Sequence, residues 1–332
     1  MHRRDDHMSG KIIEVQGLSH SFGDFKAVDD ISFSVEEGEI FSFLGPNGAG
    51  KSTTINVLTT QLDCQKGSAR VCGFDVRARP HDVRKSIGIV FQDEVLDRDL
   101  TVRETLEFHG RIYSMPRDQR IAREKELIEL VELGDKWDER TKHLSGGMKR
   151  RLEIARGLMT RPRVLFLDEP TIGLDPQTRL RIWDYIKGIN EEGTTIFLTT
   201  HYMDEADKLS DRVEIIDHGR IIAKGTAESL KNTLGEDMMY LETGDDERAA
   251  LAAKKVPEVS EVKRLSSGLE LILSADGAKV MPKVLRSVEG EGIGILSVKM
   301  KKPSLDDVFV HYTGREIRDA PVDGNSLKMR RH

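Results

Sequence analysis

The chain has 332 residues, enough for one large domain and a smaller one, and carries 51 Lys and Arg against 57 Asp and Glu, a net charge of −6. This sign is opposite to that of a typical nucleic-acid-binding surface, so we expect no nucleic-acid partner. No apolar stretch reaches the roughly 18 residues of a membrane span, and residues 1–11 are predicted to be a disordered tail rather than a secretory signal. Two cysteines are too few for a disulfide framework and indicate a reduced cytosolic protein.

Residues 12–230 alternate between strand and helix patterns. Ile31–Val35 alternates apolar and polar residues, and Ile40–Leu44 is an apolar run that leads into a glycine-rich loop. Val164–Leu167 and Thr195–Thr200 are rich in apolar and β-branched residues, which is typical of strands buried on both faces of a parallel sheet. The pattern predicts an α/β domain over this range.

A helical subdomain is predicted within that domain, over about 95–160. Thr101 and Glu104 have the spacing of a capping box and predict the start of a helix. Arg117–Leu133 has the pattern of a charged amphipathic helix, and Gly134 is placed to end it.

The residues from 235 to 315 have a different pattern of predicted strands and helices. They are predicted to form a second, accessory or regulatory domain. The predicted elements are strand Met239–Glu242, helix Glu247–Lys255, strands Val259–Leu265 and Leu269–Leu273, helix Ala278–Val288, strand Ile295–Met300 and a last helix Ser304–Tyr312. The first six give the order βαββαβ, which is the α+β ferredoxin-like pattern. Residues 316–332 are predicted to be a flexible tail.

A glycine-rich loop between the second predicted strand and a helix has the spacing of a phosphate-binding loop. It consists of Gly45, Pro46, Asn47, Gly48, Ala49, Gly50, Lys51 and Ser52, followed by Thr53 in the predicted helix. Glycines let backbone N–H groups turn toward phosphate oxygens, and the start of the helix adds positive partial charge. Lys51 is expected to reach the β- and γ-phosphates and Ser52 to bind Mg²⁺; the alternative is a glycine turn with an exposed lysine.

Two carboxylates follow the apolar run at Val164–Leu167. Asp168 and Glu169 stand at the carboxyl end of a buried strand, where ligands bind in open α/β sheets. We expect Asp168 to hold Mg²⁺ and Glu169 to activate the attacking water as general base. The alternative is a strand that ends in an acidic turn.

A third motif, Leu144–Met148, starts a predicted helix with a serine cap and two glycines. Ser145, Gly146 and Gly147 form a second helix start suited to an anion. The cations of Lys149–Arg151 oppose the dipole of this helix, so either a phosphate compensates them or they form an ordinary solvated face.

These three motifs, in this order, resemble an ABC transporter ATP-binding subunit over about residues 12–227. The resemblance implies a P-loop NTPase fold, ATP and Mg²⁺ as ligands, and ATP hydrolysis. It further implies that two copies enclose ATP, each site combining the phosphate loop of one subunit with Ser145–Gly147 of the other. Met148 departs from the family, which usually has glutamine there.

The resemblance carries over to four more residues. Gln92 matches the glutamine that senses Mg²⁺ and the attacking water, Asp175 the loop that touches the opposite subunit, and His201 the histidine that contacts the γ-phosphate. Phe22 stands where the family often has an adenine-stacking aromatic. The alternatives are a surface amide for Gln92, a helix-capping role for His201 and a core position for Phe22.

Three segments are similar to those of the daunorubicin-resistance type of drug exporter ATPase: Ser145–Leu152, Thr199–Ala206 and Pro303–Phe309. This subclass implies a separate integral-membrane permease, a place at the cytoplasmic face of the cell membrane, and export of a drug or lipid-like substrate. The alternatives are a soluble ABC ATPase without a membrane partner, and a phosphate-loop kinase, which the motif at Leu144–Met148 disfavours. The second domain could bind an effector, stabilise a dimer or contact the permease.

Overall fold

The computed structural model describes residues 10–265 and 267–315. The described residues form two compact units, which divide after Lys224, six positions before the boundary expected from composition. The predicted tails lie outside the described residues, apart from Gly10 and Lys11, and Lys11 already begins the first strand. None of the described helices is long and apolar enough to cross a membrane.

The centre of the first unit is a six-stranded sheet of order β10-β9-β3-β8-β7-β6. Its strands are β3 (Ile40–Leu44), β6 (Ile87–Val90), β7 (Val164–Asp168), β8 (Thr195–Thr200), β9 (Arg212–Asp217) and β10 (Arg220–Gly225). The pairs from β9 through β3, β8 and β7 to β6 are parallel. Every residue of β3, β7 and β8 is buried, as the apolar runs predict, so their carboxyl ends form one rigid edge.

A second sheet of the first unit has the order β2-β1-β4-β5 and antiparallel pairs. Its strands are β1 (Lys11–Phe22), β2 (Phe25–Glu36), β4 (Lys66–Val71) and β5 (Phe74–Asp75). The predicted strand Ile31–Val35 is the second half of β2. Phe33 of this sheet stacks on Phe41 of β3, with ring centroids 5.6 Å apart, so the two sheets share one hydrophobic core.

Seven helices complete the first unit among the described residues. They are α1 (Lys51–Leu58), α2 (Pro80–Ser86), α3 (Val102–Ile112), α4 (Arg117–Leu130), α5 (Gly146–Leu158), α6 (Pro176–Glu191) and α7 (Met203–Leu209). The capping box of α3 is confirmed, since Thr101 accepts from the N–H of Glu104 at 3.2 Å and Glu104 accepts from the N–H of Thr101 at 2.9 Å.

The predicted end of α4 is wrong by three residues. The helix ends at Leu130 because Glu132 adopts a left-handed conformation, with φ 51°, and turns the chain back. This turn buries Val131 and Leu133 in the core of the helical subdomain, and Gly134 begins a short 3-10 turn instead of ending α4.

The second unit has a four-stranded antiparallel sheet of order β12-β13-β11-β14. Its elements are α8 (Ala227–Asn232), β11 (Asp237–Thr243), α9 (Asp246–Ala253), β12 (Val259–Arg264), β13 (Leu269–Leu273), α10 (Gly277–Glu289), β14 (Ile295–Lys301) and α11 (Leu305–Thr313). From β11 to β14 this is the predicted order βαββαβ. Gly314 ends α11 in the left-handed conformation, with φ 71°.

Candidate functional site

The glycine-rich loop lies at the carboxyl edge of the six-stranded sheet, between β3 and α1. Gly45 admits no side chain, because a Cβ there would lie 2.2 Å from the carbonyl oxygen of Ile216. Gly50 has φ 104°, and its Cβ would lie 2.5 Å from the carbonyl oxygen of Ala27. Close approach of the backbone therefore requires glycine at both ends of the loop.

Lys51 lies beneath this loop and is 4% exposed. Its Nζ donates to the carbonyl oxygens of Gly45 at 2.7 Å and Pro46 at 3.0 Å, and lies 3.3 Å from Oε1 of Glu169. Burial lowers the pKa of Lys51 and outweighs the opposing effect of the Glu169 carboxylate. The alternative of an exposed lysine is wrong, since the ammonium group is enclosed at the point where the loop would receive phosphate.

Asp168, the last residue of β7, is held by two hydroxyl groups. Ser52 donates to its Oδ1 at 3.2 Å, and Thr199 donates to the same oxygen. Burial raises the pKa of Asp168, although both hydrogen bonds oppose the shift. Sequence reasoning missed Thr199, whose available signal was its place on β8, where it pairs with Asp168 across the parallel strands.

Glu169 is 4% exposed and has φ 47°, in the left-handed region that a glutamate rarely adopts. Its N–H donates to the carbonyl and hydroxyl oxygens of Thr199, both at 3.1 Å, and this contact fixes the turn. Nδ1 of His201 donates to Oε2 at 3.0 Å. Burial alone would raise the pKa of Glu169, but the hydrogen bond from His201 and the charge of Lys51 lower it below its usual value.

The donor set beside the loop fits a magnesium ion. Ser52 and Asp168 supply oxygen atoms, which Mg²⁺ prefers, and Mg²⁺ keeps several waters and binds through substrate phosphates. The described residues contain no group of three or more His, Cys, Asp or Glu side chains that could hold a metal. The site therefore suits an ion shared with a phosphate substrate rather than one enclosed by protein alone.

Gln92 and Phe22 are not joined to this cluster by a described hydrogen bond. Gln92 follows β6 and is half-buried, and no hydrogen bond among the described residues joins it to Ser52, Asp168 or Glu169. Phe22 ends β1, where its ring packs edge-on against His20 with centroids 4.8 Å apart.

The motif at Leu144–Met148 forms the start of α5, as predicted. Ser145 caps the helix by accepting from the N–H of Met148 at 3.3 Å, and Ser145 and Gly146 are exposed. No described hydrogen bond or ion pair joins Ser145 to Lys51, Asp168 or Glu169. Within the described chain, the start of α5 and the start of α1 at the glycine-rich loop are separate sites.

Asp175 lies beside the start of α5. It caps α6, accepting from the N–H of Thr178 at 3.0 Å, and both bonds from Thr178 lower the pKa of Asp175. A Cβ on Gly147 would lie 2.5 Å from Cγ2 of Thr178, so the start of α5 and the start of α6 pack closely.

The cations that follow Met148 are paired with protein groups. Lys149 lies 3.0 Å from the carboxylate of Glu94, and Arg151 donates to the carbonyl of Val131 at 2.8 Å. Arg150 is buried and donates to backbone carbonyls behind Glu169. The expectation of a solvated face is therefore wrong for Arg150, whose guanidinium is compensated by backbone carbonyls.

Two family models match the chain. The model described as ABC transporter matches residues 28–172, and the one described as the C-terminal domain of DrrA1-3-like ATP-binding proteins matches residues 225–313. The second match begins where the second compact unit begins.

Two similar proteins match nearly the whole chain, and a similar solved structure matches about two thirds of it. The daunorubicin resistance ATP-binding protein DrrA3 of Streptomyces coeruleorubidus is 38% identical over 94% of this chain and 100% of that protein. The Nod factor export ATP-binding protein I of Ralstonia nicotianae is 39% identical over 94% of this chain and 96% of that protein. A dimeric ATP-binding cassette solved in a post-hydrolysis state with ADP and Pi is 26% identical, with a TM-score of 0.59, over 64% of this chain and 98% of that one.

Proposed function

Because this chain belongs to the family of ABC transporter ATP-binding proteins, we propose that it hydrolyses ATP to energise export through a separate integral-membrane permease. The observation that carries the proposal is the Glu169 carboxylate, held between Lys51 and His201 beside an intact phosphate loop. A buried, ionised and oriented carboxylate next to a phosphate-binding helix start is suited to activate water for attack on a γ-phosphate.

Each residue of the cluster has a part in this reaction. Backbone N–H groups within residues 47–53 bind phosphate oxygens, and Lys51 exchanges its loop carbonyls for the β- and γ-phosphates. Ser52 and Asp168 hold Mg²⁺, which neutralises charge on the phosphates when bound. Glu169 accepts the proton of the attacking water, and His201 orients Glu169 and contacts the γ-phosphate.

The remaining predicted residues act around that core. Gln92 would face the Mg²⁺ ion and the attacking water when these are bound, and Phe22 would stack on the adenine. Neither makes a hydrogen bond to the cluster among the described residues, which fits a site that is completed by movement.

Two copies of the chain complete the site. Ser145 and Gly146 are exposed and make no bond to the cluster of their own chain, which leaves this helix start free to receive the partner's γ-phosphate. Asp175 packs beside them and would face the opposite subunit. The dimeric cassette with ADP and Pi supports this arrangement by similarity.

The substrate class and location follow from the relatives. One is named for daunorubicin resistance and another for Nod factor export, so we propose that the permease exports a drug or lipid-like molecule. The chain would work at the cytoplasmic face of the cell membrane. The second unit would be an accessory or regulatory domain.

The experiment is complementation between two inactive variants of the full chain. Lys51→Ala disables the phosphate loop, and Ser145→Arg places bulk where the partner's phosphate would dock. In a mixed dimer both defects meet in one site, and the other site is intact. Mixing the two proteins should therefore restore ATPase activity and ATP-dependent cross-linking.

The control mixes Lys51→Ala with a Lys51→Ala, Ser145→Arg double variant, which leaves no intact site. Activity in the first mixture alone supports the paired arrangement. Mixed dimers that close on ATP no better than either variant by itself would show that Ser145 does not act on the partner's nucleotide.

A further inference from the structure

Arg150, at the start of the second turn of α5, is 7% exposed and lies behind the strand end that carries the two site carboxylates. Its Nε donates to the carbonyl of Pro170 at 2.7 Å, and its Nη2 donates to the carbonyls of Asp168 at 3.0 Å and Glu169 at 3.2 Å. One guanidinium group therefore binds three successive backbone carbonyls. These belong to the Mg²⁺ ligand, the general base and the residue after it.

The other edge of the same guanidinium holds the segment that contains Gln92. Nη1 of Arg150 donates to the carbonyl of Phe91 at 2.5 Å and to Glu153 at 3.0 Å. Glu153 in turn accepts from the N–H of Val95 at 3.0 Å. The backbone on both sides of Gln92 is thus fixed to α5.

The contact with Glu169 bears on its orientation. Glu169 has φ 47°, which is unfavourable for a residue with a Cβ and persists only where the surroundings hold it. The hydroxyl of Thr199 holds its N–H, and Arg150 holds its carbonyl oxygen. A shift of α5 would therefore turn the peptide that directs the Glu169 carboxylate.

The exposed end of α5 is about one and a half turns away. Ser145 caps the helix through the N–H of Met148, and Arg150 follows in the same continuous helix. Because five residues of helix span only about 7.5 Å, a displacement of Ser145 also displaces Arg150 as part of the same helix.

We propose that Arg150 is a positioning residue that couples the exposed start of α5 to Glu169 and Gln92 of the same subunit. Docking of Ser145 on the partner's nucleotide then sets the position of Glu169 and Gln92 in the subunit's own site. ATP hydrolysis at one site of the dimer is therefore coupled to nucleotide binding at the other. This inference rests on the proposed paired sites.

The test compares Arg150→Gln and Arg150→Lys with Arg151→Gln, all in the full chain. Arg151 is a matched control, since it stands on the same helix and donates to Val131 and Tyr185, away from the site carboxylates. Arg150→Gln should keep ATP affinity and ATP-driven dimerisation while kcat falls about 10–100-fold, the cost of a small misplacement of a catalytic group. Arg150→Lys should be similarly slow, because an ammonium lacks the planar fork that spans two segments.

The possible results distinguish failure of the proposed function, failure of the positioning role and a purely structural role of Arg150. A wild type that neither hydrolyses ATP nor dimerises overturns the proposed function itself. An active wild type with unchanged kcat in Arg150→Gln, or full activity in Arg150→Lys, overturns the positioning role alone. An equal loss of kcat in Arg151→Gln, or a loss of dimerisation and thermal stability that parallels kcat, shows that Arg150 merely supports the fold. If Arg150→Gln does not fold, Arg150→Lys alone is compared with wild type and Arg151→Gln, and unchanged kcat there overturns the role.

Discussion

Nδ1 of His201 lies 3.0 Å from Oε2 of Glu169, and both residues follow neighbouring parallel strands, β8 and β7. The other carboxylate oxygen faces Lys51 at 3.3 Å. The two contacts fix the plane of the carboxylate and lower the pKa of Glu169, so this buried group is ionised near neutral pH.

Glu169→Gln should bind ATP with near-normal affinity and turn it over about 10²–10⁴-fold more slowly, because general-base catalysis supplies about that factor. Loss of hydrolysis should also leave more of the protein as a closed dimer in Mg-ATP. Phosphate release and size-exclusion chromatography measure the two effects. Unchanged turnover would remove Glu169 from the role of base.

His201→Ala should move the acidic limb of the kcat/KM profile to higher pH. Glu169 has a lowered pKa, so its ionised form persists as pH falls; removing the hydrogen bond from His201 raises that pKa and protonates the base earlier. The profile of steady-state ATPase activity from pH 8 down to about pH 4, below the usual pKa of a glutamate, measures the shift. His81→Ala, at an exposed histidine of α2, is the control and should leave the limb in place. A limb that moves to lower pH, or stays, contradicts the pairing.

Glu214→Gln should stabilise the first unit at neutral and alkaline pH. Burial in β9 raises the pKa of Glu214 to about 7, above its usual value, so the folded state holds this proton more tightly than the unfolded state does. As pH rises from the unfolded pKa to the folded pKa, the free energy of unfolding therefore falls by about 1.4 kcal/mol for each pH unit.

Thermal unfolding of wild type and Glu214→Gln at pH 5 and pH 8 measures this linkage. The variant should melt higher than wild type at pH 8, with a much smaller difference at pH 5, where the wild-type carboxyl is protonated. Glu228→Gln is a control at an exposed glutamate of α8. An equal shift at both pH values would show that hydrogen bonding rather than ionisation is responsible.

A truncation after Lys224 should retain nucleotide binding. The phosphate loop, the two carboxylates, His201 and the start of α5 all belong to the first compact unit, which divides from the second at this point. Fluorescent-nucleotide titration of the truncated and full chains should give dissociation constants within a few-fold. A folded truncation that binds no nucleotide would show that the second unit contributes to the site.

Local patterns determined much of this protein. The run from Ile40 to Leu44 predicts the bounds of β3, and the spacing of Thr101 and Glu104 predicts the capping box of α3. The glycine-rich loop, the acidic strand end and the serine-capped start of α5 can each be identified from a few consecutive residues. These features have short, characteristic sequence patterns, so a few consecutive residues are enough to identify them.

Tertiary structure alone decided which distant groups meet. Thr199 contacts Asp168 only because β7 and β8 pair in a particular register, and Arg150 reaches the carbonyls behind Glu169 only because α5 packs beneath that edge. The end of α4 was likewise set by the burial of Val131 and Leu133 rather than by Gly134. Register and packing are properties of the whole folded chain, because they balance the burial of many side chains at once, and no short pattern contains them.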